Sequence, residues 1–257
     1  MTKKGLREGI KWAAVLAIVG VVLGFSAAEQ RSATCRELKV KVEHMSGHYF
    51  IDEAAISRRI FDLGHPIIGV TLDSLRLDQM RRSILEFPSV KDADVYTTVD
   101  GTLRVNVSQR KPYFRVVSTS GAGFYMDTDG RPMPLSTRYS ARVPVVVGDF
   151  DVDLRNRDAV YTPDARMLAT FDLINYLNDD PFWLAQTEHI VVNQRSEFEL
   201  VPRVGSARIA LGTSTDLEAK FLRLKAFYIE MAHKNNLNKY KRINVKYRDQ
   251  VVCERFF

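Results

Sequence analysis

The sequence predicts an α+β protein: one N-terminal transmembrane helix, a small β-α-α-β-β domain, and a β-rich domain of antiparallel strands with two or more helices. Three observations carry this. An uncharged run fills residues 12–28, a period-2 hairpin pattern brackets Asp100-Gly101, and short strand-like and helix-like stretches alternate from about residue 123 to the end.

The run WAAVLAIVGVVLGFSAA contains seventeen apolar or small residues. At ~1.5 Å per residue it spans roughly 26 Å, close to the ~30 Å core of a bilayer. Trp12 stands where an interfacial aromatic is favoured, and Lys11 can snorkel to extend the span. Two readings fit. Ser26-Ala27-Ala28 offers the small residues of a signal-peptidase site, but signal h-regions run ~7–15 residues, shorter than this stretch. An uncleaved anchor is therefore expected. Lys3, Lys4, Arg7 and Lys11 balance Arg31, Arg36, Lys39 and Lys41, and the short basic tail favours an N-terminus inside the cell. Residues 29–257 would then lie outside the cytoplasm.

Beyond the anchor, Leu38, Val40 and Val42 alternate as a strand until Ser46-Gly47 breaks the pattern. Asp52 caps a helix striped by Ala55, Ile56, Ile60 and Leu63, which Gly64 stops. Leu77, Met80 and Ile84 place a second helix over roughly 77–86, ended by Pro88. Ala93, Val95 and Val99 alternate up to Asp100-Gly101, and Leu103, Val105 and Val107 alternate away from it. That is the pattern of a two-residue hairpin turn.

In the larger domain Asp127-Thr128-Asp129-Gly130 is a turn and Val145 to Val147 a buried strand. Asp127 and Asp129 imitate the start of a calcium loop, but the later ligands are missing. Thr162-Pro163-Asp164 opens a helix striped by Leu168, Phe171, Ile174 and Leu177, which Asn178-Asp179-Asp180-Pro181 closes. Strands follow near 189–193, 197–201 and 207–211. Thr215 and Glu218 form a capping box for a helix packed through Leu217, Phe221, Leu224, Tyr228 and Met231. Residues 242–247 and 251–256 are both strand-like. The chain thus divides into a tail (1–11), a span (12–28), a linker (29–35), a small domain (36–112) and a β domain (113–257).

Net charge is +6, and residues 216–257 alone hold ten Lys/Arg against five Asp/Glu. Outside the cytoplasm this surplus does not point to nucleic acid; a solvated surface or an acidic partner suits it better. Cys35 and Cys253 make no disulfide framework and no metal spacing, and two unpaired thiols are expected. His44, His48, His65, His189 and His233 fit no metal-ligand pattern. Asp149, Asp151 and Asp153 read as a solvated loop. No P-loop, nucleophile elbow or dinucleotide motif occurs, so neither an enzyme, a cofactor nor a small-molecule substrate is expected.

The stretch LEFPSVKDADVYTTVDGTLRVNVSQRKP resembles the second half of a POTRA domain of the bacterial FtsQ/DivIB family. The match rests on Pro88, Val90, Ala93, Val95, Thr102, Leu103, Val105, Val107, Arg110 and Pro112, with Gln109 where the family more usually has Glu. GFYMDTDGRPMPL (123–135) and RVPVVVGDF (142–150) resemble the family's opening of its β domain, and INVKY (243–247) its terminal strand, with Asn244 for Asp and Lys246 for Arg. The resemblance implies a non-enzymatic, single-pass inner-membrane scaffold of the division septum. Its implied partners are FtsB- and FtsL-type division proteins and other divisome components, linking it to septal peptidoglycan synthesis. Partners would pair with the C-terminal strand, with Lys246 and Tyr247 as anchors, Arg248 and Val251 beside them, and Arg195 as a further contact. The alternative is a POTRA-bearing chaperone for outer-membrane proteins; it requires a barrel or a barrel partner.

Overall fold

Local signals in the first domain translate directly into structure. The computed structural model describes Trp12 and residues 16–18, 33–43, 50–119, 121–152, 154, 162–234 and 236–256. Most of the 12–28 run, His44, His48 and Asp153 lie outside these residues; among the described ones no helix is long and apolar enough to cross a membrane. Contacts divide the chain into two units, meeting at Gln109 and Arg110.

In the first unit β1 (Glu37–Glu43) alternates as expected, its Val42 buried. The Asp52 carboxylate caps α1 (Glu53–Phe61) by accepting from Ala55 N–H at 2.7 Å. Helix α2 (Leu77–Leu85) buries Met80 and Ile84. Strands β2 (Val90–Thr97) and β3 (Thr102–Gln109) complete a sheet ordered β1-β3-β2, with β1 parallel and β2 antiparallel to β3. The inward residues Val42, Val90, Ala93, Leu103, Val105 and Val107 meet Ile56, Ile60, Met80 and Ile84 in one core.

The β2–β3 turn differs from the two-residue turn expected. Gly101 N–H donates to the Thr98 carbonyl at 3.0 Å, and only Gly101 of the turn has positive φ, at 86°. Both primed turns need positive φ at the first central residue, here Asp100, which does not have it. Here Thr98 to Gly101 form a type I turn closed by a left-handed glycine, and Val99 is an exposed turn residue rather than a strand residue. The Asp100 carboxylate accepts from the Thr98 hydroxyl and from Thr102 N–H, which holds the turn and lowers its pKa. A Cβ on Gly101 would also lie 2.6 Å from the Thr34 carbonyl oxygen. Gly101→Ala should therefore destabilise the first unit by about 1–3 kcal/mol, measured by chemical denaturation.

The second unit is built on a nine-stranded sheet. Its strands are β4 (Pro112–Val117), β5 (Gly123–Asp127), β6 (Pro132–Pro134), β7 (Val145–Val147), β8 (Thr187–Val192), β9 (Phe198–Pro202), β10 (Arg208–Gly212), β11 (Tyr240–Asn244) and β12 (Val252–Arg255). Their order is β12-β11-β10-β9-β8-β7-β4-β5-β6. The sheet is mixed, not antiparallel as expected: β4–β7, β7–β8 and β10–β11 run parallel. Helical crossovers account for the last two, while β4 and β7 are joined through β5, β6 and the loop after them. Helices α3 (Ala165–Asp179) and α4 (Pro181–Gln186) lie between β7 and β8, and α5 (Leu217–His233) lies between β10 and β11. A helix carries the chain back over the sheet, so the next strand points the same way.

All three helices bury residues against inward strand positions such as Phe114, Val146, Ile190, Phe198, Ile209 and Ile243. Trp183 of α4 sits among Phe221 and Tyr228 of α5, with ring centroids 5.3 and 5.4 Å away. Three helix details depart from expectation. The cap of α3 is Asp164, which accepts from Met167 N–H at 2.7 Å, so the buried stripe includes Met167 and Leu173 while Leu168 is exposed. Asp180 does not merely end α3; it caps α4, whose first residue is Pro181. The Thr215 hydroxyl pairs with Thr213, and α5 is reached through Asp216 at φ 51°, in place of a Thr215–Glu218 capping box.

Tyr228 is nearly fully buried, and burial pushes its hydroxyl up to about 12 from an ordinary 10.0, a hydrogen bond with Gln186 opposing the shift. The folded state keeps this proton at a pH where the unfolded state has lost it. Stability from this residue is therefore complete below pH 10 and falls as pH rises towards 12. About 2–3 kcal/mol should be lost over that window, and Tyr228→Phe should abolish that part of the alkaline destabilisation in a pH-denaturation series.

Candidate partner-binding edge

The nine-stranded sheet ends in β6 and β12, and both expose backbone groups on one side. Their sequences make those edges chemically different. At β6, Asp127 N–H donates to the Arg131 carbonyl at 2.9 Å, and Tyr125 pairs with Met133. Period-2 alternation then turns Met133 towards β5 and both Pro132 and Pro134 towards the free side. Neither proline has an N–H, so this edge cannot donate to an added strand.

At β12 the alternation is fixed twice over. Val245 N–H donates to Ala210 of β10 at 3.1 Å, so its neighbour Asn244 faces β12, where it pairs with Val252. Phe256 N–H donates to the Lys239 carbonyl at 3.2 Å. Val252, Glu254 and Phe256 thus direct their backbone groups to β11, while Cys253 and Arg255 direct theirs outward. No proline interrupts 240–256. Among the described residues nothing pairs with the outward donor and acceptor of Cys253 and Arg255.

Side chains frame it. Val251 and Cys253 pack against the core, whereas Val252 (46%), Phe256 (52%) and Tyr247 (53%) are exposed. Burial raises the pKa of the Cys253 thiol, which keeps it protonated at neutral pH, and both cysteines are free. Arg255 stands over the Tyr240 ring at 5.7 Å, and Glu254 pairs with Lys241.

The sequence-derived residues divide on this frame. Lys246 reaches the β8–β9 connection at Glu197, two residues from Arg195. Lys246 lays its stem over Gly212 and reaches Glu197 Oε1 at 2.7 Å; Glu197 also accepts from Asn193. The Lys246 hydrogen bond, then the Asn193 bond and the Arg195 charge, hold the Glu197 carboxyl below its usual range. Tyr247 and Arg248 are exposed on the β11–β12 connection, where Arg223 donates to the Tyr247 carbonyl at 3.3 Å. Val251 is half-buried, its side chain packed against the core. The position of the edge is corrected, because β12 covers INVKY, which is an inner strand through Asn244.

Sequence reasoning missed Cys253, Arg255 and Glu197. For Cys253 and Arg255 the signal was present, since 251–256 reads as a second strand after the Asp249 turn, and a hairpin partner must cover one side of the strand before it. Among the described residues no group of three His, Cys, Asp or Glu could hold a metal.

Comparison with known families agrees with this architecture. A model described as FtsQ/DivIB, C-terminal related, matches residues 111–254, more than half of the chain. A POTRA-like domain model matches residues 33–108. No curated protein matches the chain. The β-α-α-β-β unit is thus a POTRA-like domain, and the chain belongs to the FtsQ/DivIB family.

Proposed function

We propose that this protein is a non-enzymatic scaffold of the bacterial division machinery, held in the inner membrane by residues 12–28 with its bulk outside the cytoplasm. It recruits FtsB- and FtsL-type partners by strand addition to β12 and links them to septal peptidoglycan synthesis. The observation that carries this reading is the asymmetry of the two sheet edges: prolines guard β6, while β12 offers outward backbone groups at Cys253 and Arg255.

The energetics suit that mode. Backbone hydrogen bonds contribute about 0.5–1.5 kcal/mol net each. Burial of Tyr247, Val252 and Phe256 adds roughly 1.5–3 kcal/mol per side chain. A micromolar complex needs about 8 kcal/mol after entropic losses, so backbone pairing and side-chain anchors are both required.

The test is a pull-down of FtsB- and FtsL-type proteins from solubilised membranes, comparing the native chain with Lys246→Glu/Tyr247→Ala. Both side chains are at least partly exposed and the ion pair is a surface one, so the fold should persist in the variant. Recovery by the native chain alone is expected. Equal recovery by the folded variant would contradict the anchor role.

A further inference from the structure

Helix α5 has two apolar faces. Phe221, Leu224, Tyr228 and Met231 are buried against the sheet. On the opposite side Ala219, Leu222, Ala226 and Ile229 are exposed, Leu222 by 69% and Ile229 by 53%. Their spacing is 3, 4, 3, the repeat of a coiled-coil seam, with the alanines at one core position and the larger residues at the other. Phe182 of α4 widens the strip: it is 43% exposed, and Lys225 Nζ stands 5.5 Å from its ring.

We infer that this strip is a self-association surface on which a second copy of the chain packs its own α5 in parallel. The charges beside the strip identify the occupant. In a parallel pair, the residue before each alanine core position meets the residue five further along the partner helix. Glu218 would meet Arg223 and Lys225 would meet Glu230, opposite charges in both cases and each pair occurring twice. Arg223 is held on that flank by its bonds to the Val245 and Tyr247 carbonyls at 3.2 and 3.3 Å. In an antiparallel pair the same rows meet themselves, which sets Lys225 against Lys225. The symmetry is therefore isologous, with the two-fold axis along the helices.

Alanines at alternate core layers let the helices approach closely. Seventeen residues of α5 give a strip about 26 Å long. Two such strips bury on the order of 800 Å² in total, short of the ~1,200 Å² of stable complexes. The dimer is accordingly weak, reversible and dependent on concentration. None of its residues lies on β12 and neither Leu222 nor Ile229 belongs to the edge reading, so the Leu222/Ile229 test fails separately from it; Arg223, bonded to the Tyr247 carbonyl, borders both.

Sedimentation equilibrium on the full chain in density-matched detergent tests it. The mass should rise with concentration from one chain towards two, and Leu222→Glu/Ile229→Glu should move the midpoint at least ten-fold higher with an unchanged circular dichroism spectrum. Lys225→Glu and Glu230→Lys should each weaken the dimer several-fold, and their combination should restore it. A monomer at every concentration, or a dimer indifferent to Leu222→Glu/Ile229→Glu, would overturn the proposal. So would a dimer strengthened by Lys225→Glu alone, the signature of antiparallel packing.

Discussion

Replacing Cys253 by proline is expected to abolish capture of an FtsB-type partner while leaving the sheet folded. The backbone N–H of Cys253 points away from β11, so the ladder that holds β12 loses no bond. An added strand, by contrast, loses a donor and meets the pyrrolidine ring at the closest approach. One lost bond and a steric clash should weaken binding by more than ten-fold, equivalent to over about 1.4 kcal/mol. Glu254→Pro is the informative comparison. Its N–H faces β11, so proline there detaches β12 and lowers thermal stability as well as binding. Binding lost at 253 with stability retained, and both lost at 254, is a pattern that side-chain docking elsewhere would not produce.

Asp127→Ala should give the largest loss of stability in the β domain, roughly 3–5 kcal/mol, the range seen when one partner of a buried ion pair is removed. The carboxylate is 1% exposed and pairs with Arg110 at 2.9 Å. It also accepts from Asp129 N–H at 2.9 Å and Arg131 N–H at 2.7 Å, closing the β5–β6 turn. Alanine leaves a guanidinium and two amides without this acceptor. Asp127→Asn keeps a side-chain oxygen for the amides and should recover part of the loss. Thermal unfolding followed by the fluorescence of Trp183, in a Trp12→Phe background, reads the effect, because Trp183 lies within the affected core.

The parts of the fold that could be read from the sequence were those where one segment determines its own structure. Leu38, Val40 and Val42, the stripe of α2, and the inward row of α5 are periodic, and periodicity survives whatever packs against it. Turn and cap details were harder, because Asp100-Gly101 supports two turn types and the Thr162-Pro163-Asp164 triplet offers two capping residues. Choosing between them depends on neighbours such as Thr34, whose carbonyl crowds Gly101.

Strand direction was harder still. Helices between β7 and β8 and between β10 and β11 impose parallel pairing, which no strand's own residues encode. At the candidate site Lys246 and Tyr247 came from motif resemblance. The edge itself is a property of the whole sheet: β12 becomes terminal only because β11 pairs with β10 on its other side. Glu197, which pairs with Lys246 from 49 residues away, had no local signal at all.

Amide hydrogen exchange on the native chain, with and without an FtsB-type partner, tests strand addition at β12 most directly. The amides of Cys253 and Arg255 should exchange rapidly in the free protein and become protected on binding, while that of Met133 in β6 stays unchanged. Tight binding with no new protection at Cys253 and Arg255 would contradict it.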